Sequence, residues 1–581
     1  MLVHNRGKQL LVVSFLIFAF GLQPVCAEVV LDGSLGQSGA LSGPDYAITE
    51  GLGQVRGANL FHSFSDFNLN NTESATFSGS ATITNIVSRV TGGNASSIDG
   101  TLRSSISGAN LYFINPNGVV FGANASLDVS GSFYASTADY VNLGSDGRFD
   151  ATRPASSVLT ASPPSAFGFL DNSVSPITVS GSQLAVTSGR TLGLIGGAID
   201  ISGADASFKY LVGPWTLSTP SGRIELVSVA STGEVILNSN GPSTAGFPQL
   251  GDINLHNVAT ISTIGDPGGT IYIRSNNLQV ESSYLSSSST GATDHPGLGF
   301  DIAVTNEVNL RIGQSGNRAD VGFASFSYGQ GDAGGVQIVA GRLTLTGDVN
   351  TVDPDNNMFG YATIQSNAQS GGDSGQITID AEEIVLGENA IIQTETNGRG
   401  NANNITIDVG SLRINGTTGD GSYISSSAYI AGDGGNIQIN ANDIFIQGGS
   451  DQFVGISSQV GNSSSASPSS GNIDITVQQQ LTVLDGAQIS ASIFSGAGKA
   501  GDINIKSGDI HIAGANSRGY SAGIFSDTSG QTTSGTGGNV NITTDNLLME
   551  RSGRISTNSF SFGQAGNVAI TADSIRMYGG G

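Results

Sequence analysis

One short motif, a glycine followed by apolar residues on alternate positions, recurs along this chain and limits what it can fold into. It reads Gly251-Asp-Ile253-Asn-Leu255, Gly269-Thr-Ile271-Tyr-Ile273, Gly435-Asn-Ile437-Gln-Ile439 and Gly471-Asn-Ile473-Asp-Ile475. Further copies are Gly501-Asp-Ile503-Asn-Ile505, Gly538-Asn-Val540-Asn-Ile542 and Gly566-Asn-Val568-Ala-Ile570, with looser ones at Val336, Ile377 and Ile405. Alternation over three to five residues describes a short strand with one buried face. From Ile437 to Ile473, Ile503, Val540 and Val568 the steps are 36, 30, 37 and 28 residues. Each step holds two further apolar pieces, as in Ile444-Phe445-Ile446 and Val454-Gly455-Ile456, between turns rich in Gly, Asn, Asp and Ser.

Three short strands in about 30 residues are too few for a propeller blade, and no segment has a helical period. The pattern predicts an all-β fold, a parallel β-helix with three short strands per coil in three parallel sheets. Roughly 17 coils at ~4.8 Å each would make a rod on the order of 80 Å long. A coil cannot bury its own apolar face, so the first one needs a cap over its open edge. A β-sandwich or a row of small barrels is the competing fold.

Composition agrees with an elongated repeat. The 581 residues include 84 Gly, and only 12% are charged, against about 7% Gly and 25% charged in ordinary domains. The glycines have no period of three and Pro numbers only 15, which excludes collagen. Lys plus Arg is 22 against 46 Asp plus Glu, a net charge of −24. This acidic balance, without a Lys/Arg cluster, argues against nucleic acid, heparin-like or anionic-membrane partners.

Residues 1–27 read as a secretory signal peptide. Arg6 and Lys8 precede the apolar run Leu10 to Leu22, and Val25-Cys26-Ala27 supplies small residues before a cut at Glu28. A run of 13 residues spans only about 20 Å of helix, short of a ~30 Å bilayer core. Cleavage removes the single cysteine and two positive charges, taking −24 to −26. A mature chain without cysteine forms no disulfide on the way out, which suits a protein that crosses a second membrane unfolded.

Residues 28–165 are richer in aromatics. They carry Asn59-Leu-Phe61-His62-Ser63-Phe64-Ser-Asp-Phe67, then Asn85-Ile86-Val87-Ser88-Arg89-Val90 and Ser97-Ile98-Asp99-Gly100. Leu111-Tyr-Phe-Ile114-Asn115-Pro116-Asn117-Gly118-Val119-Val120-Phe121-Gly122 and Leu127-Asp128-Val129-Ser-Gly131-Ser132-Phe133 follow. This order of motifs resembles the N-terminal secretion domain of filamentous haemagglutinin-like proteins, the exported partners of two-partner secretion systems. Residues 167–240, including Phe167-Gly-Phe-Leu170 and Gly222-Arg-Ile224-Glu-Leu226, resemble the β-helical continuation of such proteins.

The resemblance implies a right-handed parallel β-helix with an N-terminal capping region. It also implies an outer-membrane two-partner secretion transporter with periplasmic docking domains as partner. The family's Asn-Pro-Asn-Gly motif falls on Asn115, Pro116, Asn117 and Gly118, where Pro fixes φ and Gly supplies a positive φ. Two readings stand for it: a turn needed for folding, and a surface recognised by the transporter. Phe61, His62, Phe64 and Asn85 are expected to be structural members of the family motifs. The related Asn-Pro-Asn-Leu motif is absent, with Asn85-Ile86-Val87-Ser88 in the equivalent region.

Chemistry-bearing patterns are weak. After cleavage the histidines are His62, His256, His295 and His511, well separated and outside any His-Glu-x-x-His motif. Gly519-Tyr520-Ser521-Ala522-Gly523 matches a nucleophile-elbow string but lacks a strand–turn–helix setting. Asp353-Pro-Asp355-Asn-Asn357 starts like a calcium loop, yet Met358 stands where Gly is needed and Ile364 where Glu is needed; weak calcium binding by surface carboxylates stays open. The rival function on the same fold is a polysaccharide lyase or hydrolase, which needs clustered or paired carboxylates, whereas acidic residues here are mostly scattered in turns.

The expectation is therefore a non-enzymatic, adhesin-like exoprotein, a monomeric rod without cofactor, delivered to the cell surface or medium of a Gram-negative cell. Its receptor is unidentified, a glycan being one candidate. Residues 166–581 are expected to form the repeat region. The chain stops at Met577-Tyr578-Gly-Gly-Gly581 without a distinct capping segment, so a truncated export stalk that once carried an effector is the alternative.

Overall fold

The structure, a computed structural model, describes residues 28–204, 213–313, 320–352, 359–462, 468–495, 498–529, 535–560 and 562–580. The signal peptide and the calcium-loop-like run Asp353–Asn357 lie outside the described residues. Among the described residues there is no α-helix, and the only helical turns are the 3-10 segments Glu50–Leu52 and Pro154–Ser156.

Successive parallel pairings link the strand Asn59–Phe67 to Val568–Tyr578 through one unbroken ladder, one strand per coil. These fifteen pairings join sixteen strands, and at ~4.8 Å per step the stack is about 70 Å long. A second parallel ladder, from Leu184–Ala185 to Arg554–Ser556, closes the other side. The fold is the expected parallel β-helix.

Coils between Asn85 and Ser262 hold three separate strands, as in Asn85–Val90, Ser96–Ile98 and Thr101–Ser104. From Thr270–Glu281 onward the first two pieces join into one bent strand. The first half of Thr270–Glu281 pairs with Arg223–Ser228 and its second half with Ile253–His256. The expected pieces Ile437-Gln-Ile439 and Ile444-Phe445-Ile446 thus belong to the single strand Ile437–Gln447. The linker Asn440-Ala441-Asn442-Asp443 bends while staying extended, whereas upstream the same place holds the short turns 91–95 and Gly197-Ala198, the proline turn Asn115–Gly118 or longer excursions.

Each position of the repeated motif has its own cause. Ile437, Ile473 and Ile503 point inward and are fully buried in one continuous apolar core. The glycine before them is needed for space, since a Cβ on Gly471 would sit 2.1 Å from the Gly435 carbonyl oxygen and one on Gly501 2.0 Å from that of Gly471. Between glycine and isoleucine an Asn or Asp accepts the backbone N–H of its counterpart one coil on. Asn472 N–H donates to Asn436 Oδ1 at 2.8 Å, Asp502 N–H to Asn472 Oδ1 at 2.9 Å, and Asn539 N–H to Asp502 Oδ1 at 2.7 Å. A buried serine from the opposite sheet ties in the glycines. Ser458 Oγ donates to Gly435 O at 3.0 Å and accepts from Gly471 N–H at 2.8 Å.

Two additions distinguish the N-terminal coils. Strands Val29–Asp32 and Gln54–Arg56 pair antiparallel with Asn59–Phe67 and cover the first edge. Outside the coils, Tyr140–Leu143, Gly147–Asp150, Pro164–Phe169 and Gly233–Ile236 form an antiparallel sheet. It packs on the outer face of the coils and closes a second core around Phe61, Tyr112, Tyr134, Phe149 and Phe167. Phe167-Gly-Phe-Leu170 therefore lies at this added sheet rather than in a coil, and a division at residue 165 falls inside the strand Pro164–Phe169.

Candidate functional site: the N-terminal cap and the Asn115–Gly118 turn

The strand Asn110–Ile114 ends at Asn115, and Asn115-Pro116-Asn117-Gly118 turns the chain into Val119–Phe121. Gly118 N–H donates to Asn115 O at 3.1 Å, closing the turn, and Gly118 has a φ of +118°, a conformation suited to glycine. The Asn115 side chain is fully buried. Its amide donates to Asn94 O and to Ser96 Oγ, both at 3.0 Å, and its Oδ1 accepts the Asn117 N–H at 2.9 Å. Asn115 thus fastens the turn to the coil before it. Pro116 is half-buried and Asn117 is exposed, its amide reaching Gly92 O at 2.6 Å.

Asn85 belongs to a column of asparagines at the start of three stacked strands, with Asn59 and Asn85 buried and Asn110 half-buried. Its amide donates to Asn59 Oδ1 at 2.9 Å and its own Oδ1 accepts from the Asn110 amide at 3.1 Å. Asn59 in turn donates to Thr160 O and Ser162 O, at 3.1 and 2.7 Å, and so holds the loop between Gly147–Asp150 and Pro164–Phe169 of the added sheet. Along Asn59–Phe67 the side chains separate by face. Phe61 turns outward against Phe149, ring centroids 5.1 Å apart, while Phe64 packs inward on Phe67 at 5.1 Å. His62 is fully buried near Phe77, 5.5 Å between centroids, and neither ring nitrogen has a hydrogen-bond partner among the described residues. Burial lowers its pKa to about 4, so the ring is neutral at neutral pH.

The sequence reading missed the charged centre of this region. Arg89 lies buried between the coils and the added sheet. Its guanidinium donates to Ser63 Oγ at 2.7 Å, Ser157 Oγ at 2.7 Å, Ser34 Oγ at 2.8 Å and Asp150 O, and it stacks on Phe149 at 4.2 Å. Ser63 passes on to Asp32 Oδ2 at 2.6 Å, and Thr91 Oγ1 also reaches Asp32 at 2.8 Å. Burial works against the Asp32 carboxylate, but hydrogen bonds from Ser63, Ser34 and Thr91 outweigh it and hold its pKa below the usual value. Burial lowers the Arg89 pKa to about 10, opposed by Asp32 and Asp150. The network ties the capping strand, two coils and the added sheet together. The available signal was an arginine set among Ile86, Val87 and Val90, but in sequence alone Arg89 reads as an ordinary exposed residue, and the burial of the whole strand appears only in the fold.

The remaining candidates lie apart from one another. His256 is 3.2 Å from Asp200, and His511 is 3.3 Å from Glu550. His295 faces Gly269 O at 3.0 Å. Among the described residues no three His, Cys, Asp or Glu side chains converge in a way that would hold a metal ion. Gly519-Tyr520-Ser521-Ala522-Gly523 forms a loop leading into the strand Gly523–Phe525, with no helix after it among the described residues.

Comparison with known proteins agrees with the motif reading. The family model of the TPS secretion domain, the secretion domain of two-partner systems, matches residues 27–273. No curated protein matches the chain. Among solved structures, the HMW1 secretion domain from Haemophilus influenzae aligns over 68% of this chain and 93% of its own, at 15% identity and a TM-score of 0.37. The matched family segment opens at the capping strand and ends inside Thr270–Glu281, the first fused strand. Residues 27–273 are thus similar to the secretion domains of two-partner systems.

Proposed function

We propose that this chain is an exported, rod-like attachment protein whose TPS secretion domain docks on an outer-membrane transporter partner. The observation that carries the reading is the family match over residues 27–273, the segment in which the cap, the added sheet and the Asn115 turn are assembled. The first capping strand begins at Val29, one residue after the expected cut before Glu28, so cleavage leaves the cap intact. Within the turn, Asn115 has a folding role, and Pro116 with Asn117 forms the part that a periplasmic docking domain reaches. Export is coupled to folding: each emerging coil is templated by the open edge of the one before it. Away from the cap the rod acts without cofactor or catalysis, through many weak contacts along its sides, at the cell surface or in the medium.

The test is secretion of the full chain with and without a co-expressed two-partner transporter, for wild type, Asn115→Ala and Asn117→Ala. Release is expected only with the transporter. Asn117→Ala should reduce it while the purified protein keeps wild-type circular dichroism, and Asn115→Ala should lower both release and thermal stability. Release that is independent of the transporter would overturn the export reading. Unchanged release of Asn117→Ala would remove the docking role of the turn.

A further inference from the structure

The outer face of the second ladder carries an aromatic column that neither the cap nor the core requires. Ala428, Val460 and Ile493 are register partners in successive coils, and single bridges continue the line to Thr528 and Ser559. One residue further on in each coil stand Tyr429, Gly461, Phe494, Ser529 and Phe560. The three aromatic residues are 41%, 53% and 62% exposed. They occupy every second coil, and a small residue separates each from the next. Two coils correspond to ~10 Å. Gly461 lies under the first ring, since a Cβ there would come within 2.9 Å of Tyr429.

Beside Phe494 and Phe560 the surface is concave, a cleft of about 400 Å³ that also takes in Gln459, Ser492, Asp527 and Arg554. Tyr520, 56% exposed, borders it on the far side. Neighbouring hydroxyls are already oriented by one another, as in Ser490 Oγ and Ser492 Oγ at 2.9 Å. The cleft thus combines flat apolar rings, amide and hydroxyl groups, and one carboxylate balanced by one guanidinium.

From this arrangement we propose that the cleft binds a neutral, unbranched chain of β-1,4-linked pyranoses lying parallel to the rod axis. The C–H faces of such sugars stack on aromatic rings, and their equatorial hydroxyls pair with amides and carboxylates. A β-1,4 chain turns the same face to its support at every second sugar, a repeat close to the spacing of two coils. The chain's charge of −24 disfavours sulfated or carboxylated glycans, which it would repel. A second copy of the protein is the competing occupant.

This inference deepens the attachment part of the function proposed above and is tested without export. The full mature chain is titrated by calorimetry with cellohexaose, xylohexaose and chitohexaose, and with a heparin hexasaccharide as the anionic arm. At least one neutral hexaose should bind, and Phe494→Ala and Phe560→Ala should each weaken binding about tenfold with unchanged circular dichroism and melting temperature. Val339→Ala, at an exposed apolar residue elsewhere, should have no effect. The proposal is overturned if no neutral hexaose binds, if only the heparin fragment binds, or if Phe494→Ala leaves neutral-glycan affinity unchanged. It is equally overturned if the column instead supports a concentration-dependent dimer that Phe494→Ala abolishes. Failure here leaves transporter-dependent release unaffected, and failure of release leaves solution binding unaffected, so the two readings fall separately.

Discussion

His62 illustrates how a single residue in the cap sets a pH limit. Its ring is buried without a hydrogen-bond partner among the described residues, and burial lowers its pKa from 6.5 to about 4. The folded state therefore holds it neutral while the unfolded chain binds a proton. Because the folded pKa is the lower one, the stability it supports is present above pH 6.5 and is lost as pH falls toward 4. The shift corresponds to roughly 3 kcal/mol lost across that window. Between pH 7.5 and 4.5 the urea midpoint of wild type should fall further than that of His62→Leu. A parallel loss in both proteins would show that another group controls acid unfolding. Sequence placed His62 among aromatics and as a structural residue, but its enclosure also depends on Phe77, which arrives from the strand Ser74–Ser78.

Among elements, the coil is held by backbone approach as much as by isoleucine packing. A Cβ at Gly471 would meet the Gly435 carbonyl oxygen at 2.1 Å, while at the exposed Gly93 it would meet nothing within 4 Å. Gly471→Ala is expected to cost about 2–3 kcal/mol by forcing two coils apart, and Gly93→Ala to stay close to wild type. Equal melting temperatures for the two variants would mean that the coils relax freely. The motif itself was legible: glycine, an Asn or Asp, then Ile-x-Ile recurred visibly. The purpose of its second position was not, because the acceptor role of Asn436 or Asn472 exists only once the next coil is stacked on it. The merging of two expected strands into Ile437–Gln447 was likewise hidden, since a four-residue polar linker reads as a turn until its neighbours hold it extended.

Over the whole molecule, cohesion runs between neighbouring coils, and among the described residues the N-terminal edge is covered by antiparallel strands. Capping strands and the Arg89 network close the N-terminal end and join it to the added sheet. A fragment of residues 28–313 should consequently fold as a monomer with β-rich circular dichroism. A fragment of residues 320–581 starts with an uncovered ladder edge and should aggregate or remain unfolded. Size-exclusion chromatography and circular dichroism of the two fragments decide this. A soluble, folded C-terminal fragment would contradict templating from the cap. The segment that matches the TPS secretion domain, residues 27–273, lies at this capped end.

Sequence by itself determined the β-helix, the place of its repeats and the likeness of its N-terminal segment to a secretion domain. Those features rest on local periodicity, turn chemistry and contiguous motifs, all of which survive in a one-dimensional string. Tertiary structure alone decided the rest: the antiparallel sheet that brings Gly233–Ile236 beside Pro164–Phe169, the buried Arg89 centre and the aromatic column from Tyr429 to Phe560. Each joins residues from separate coils or strands, and the contact that gives them meaning comes from stacking at ~4.8 Å rather than from any spacing along the chain.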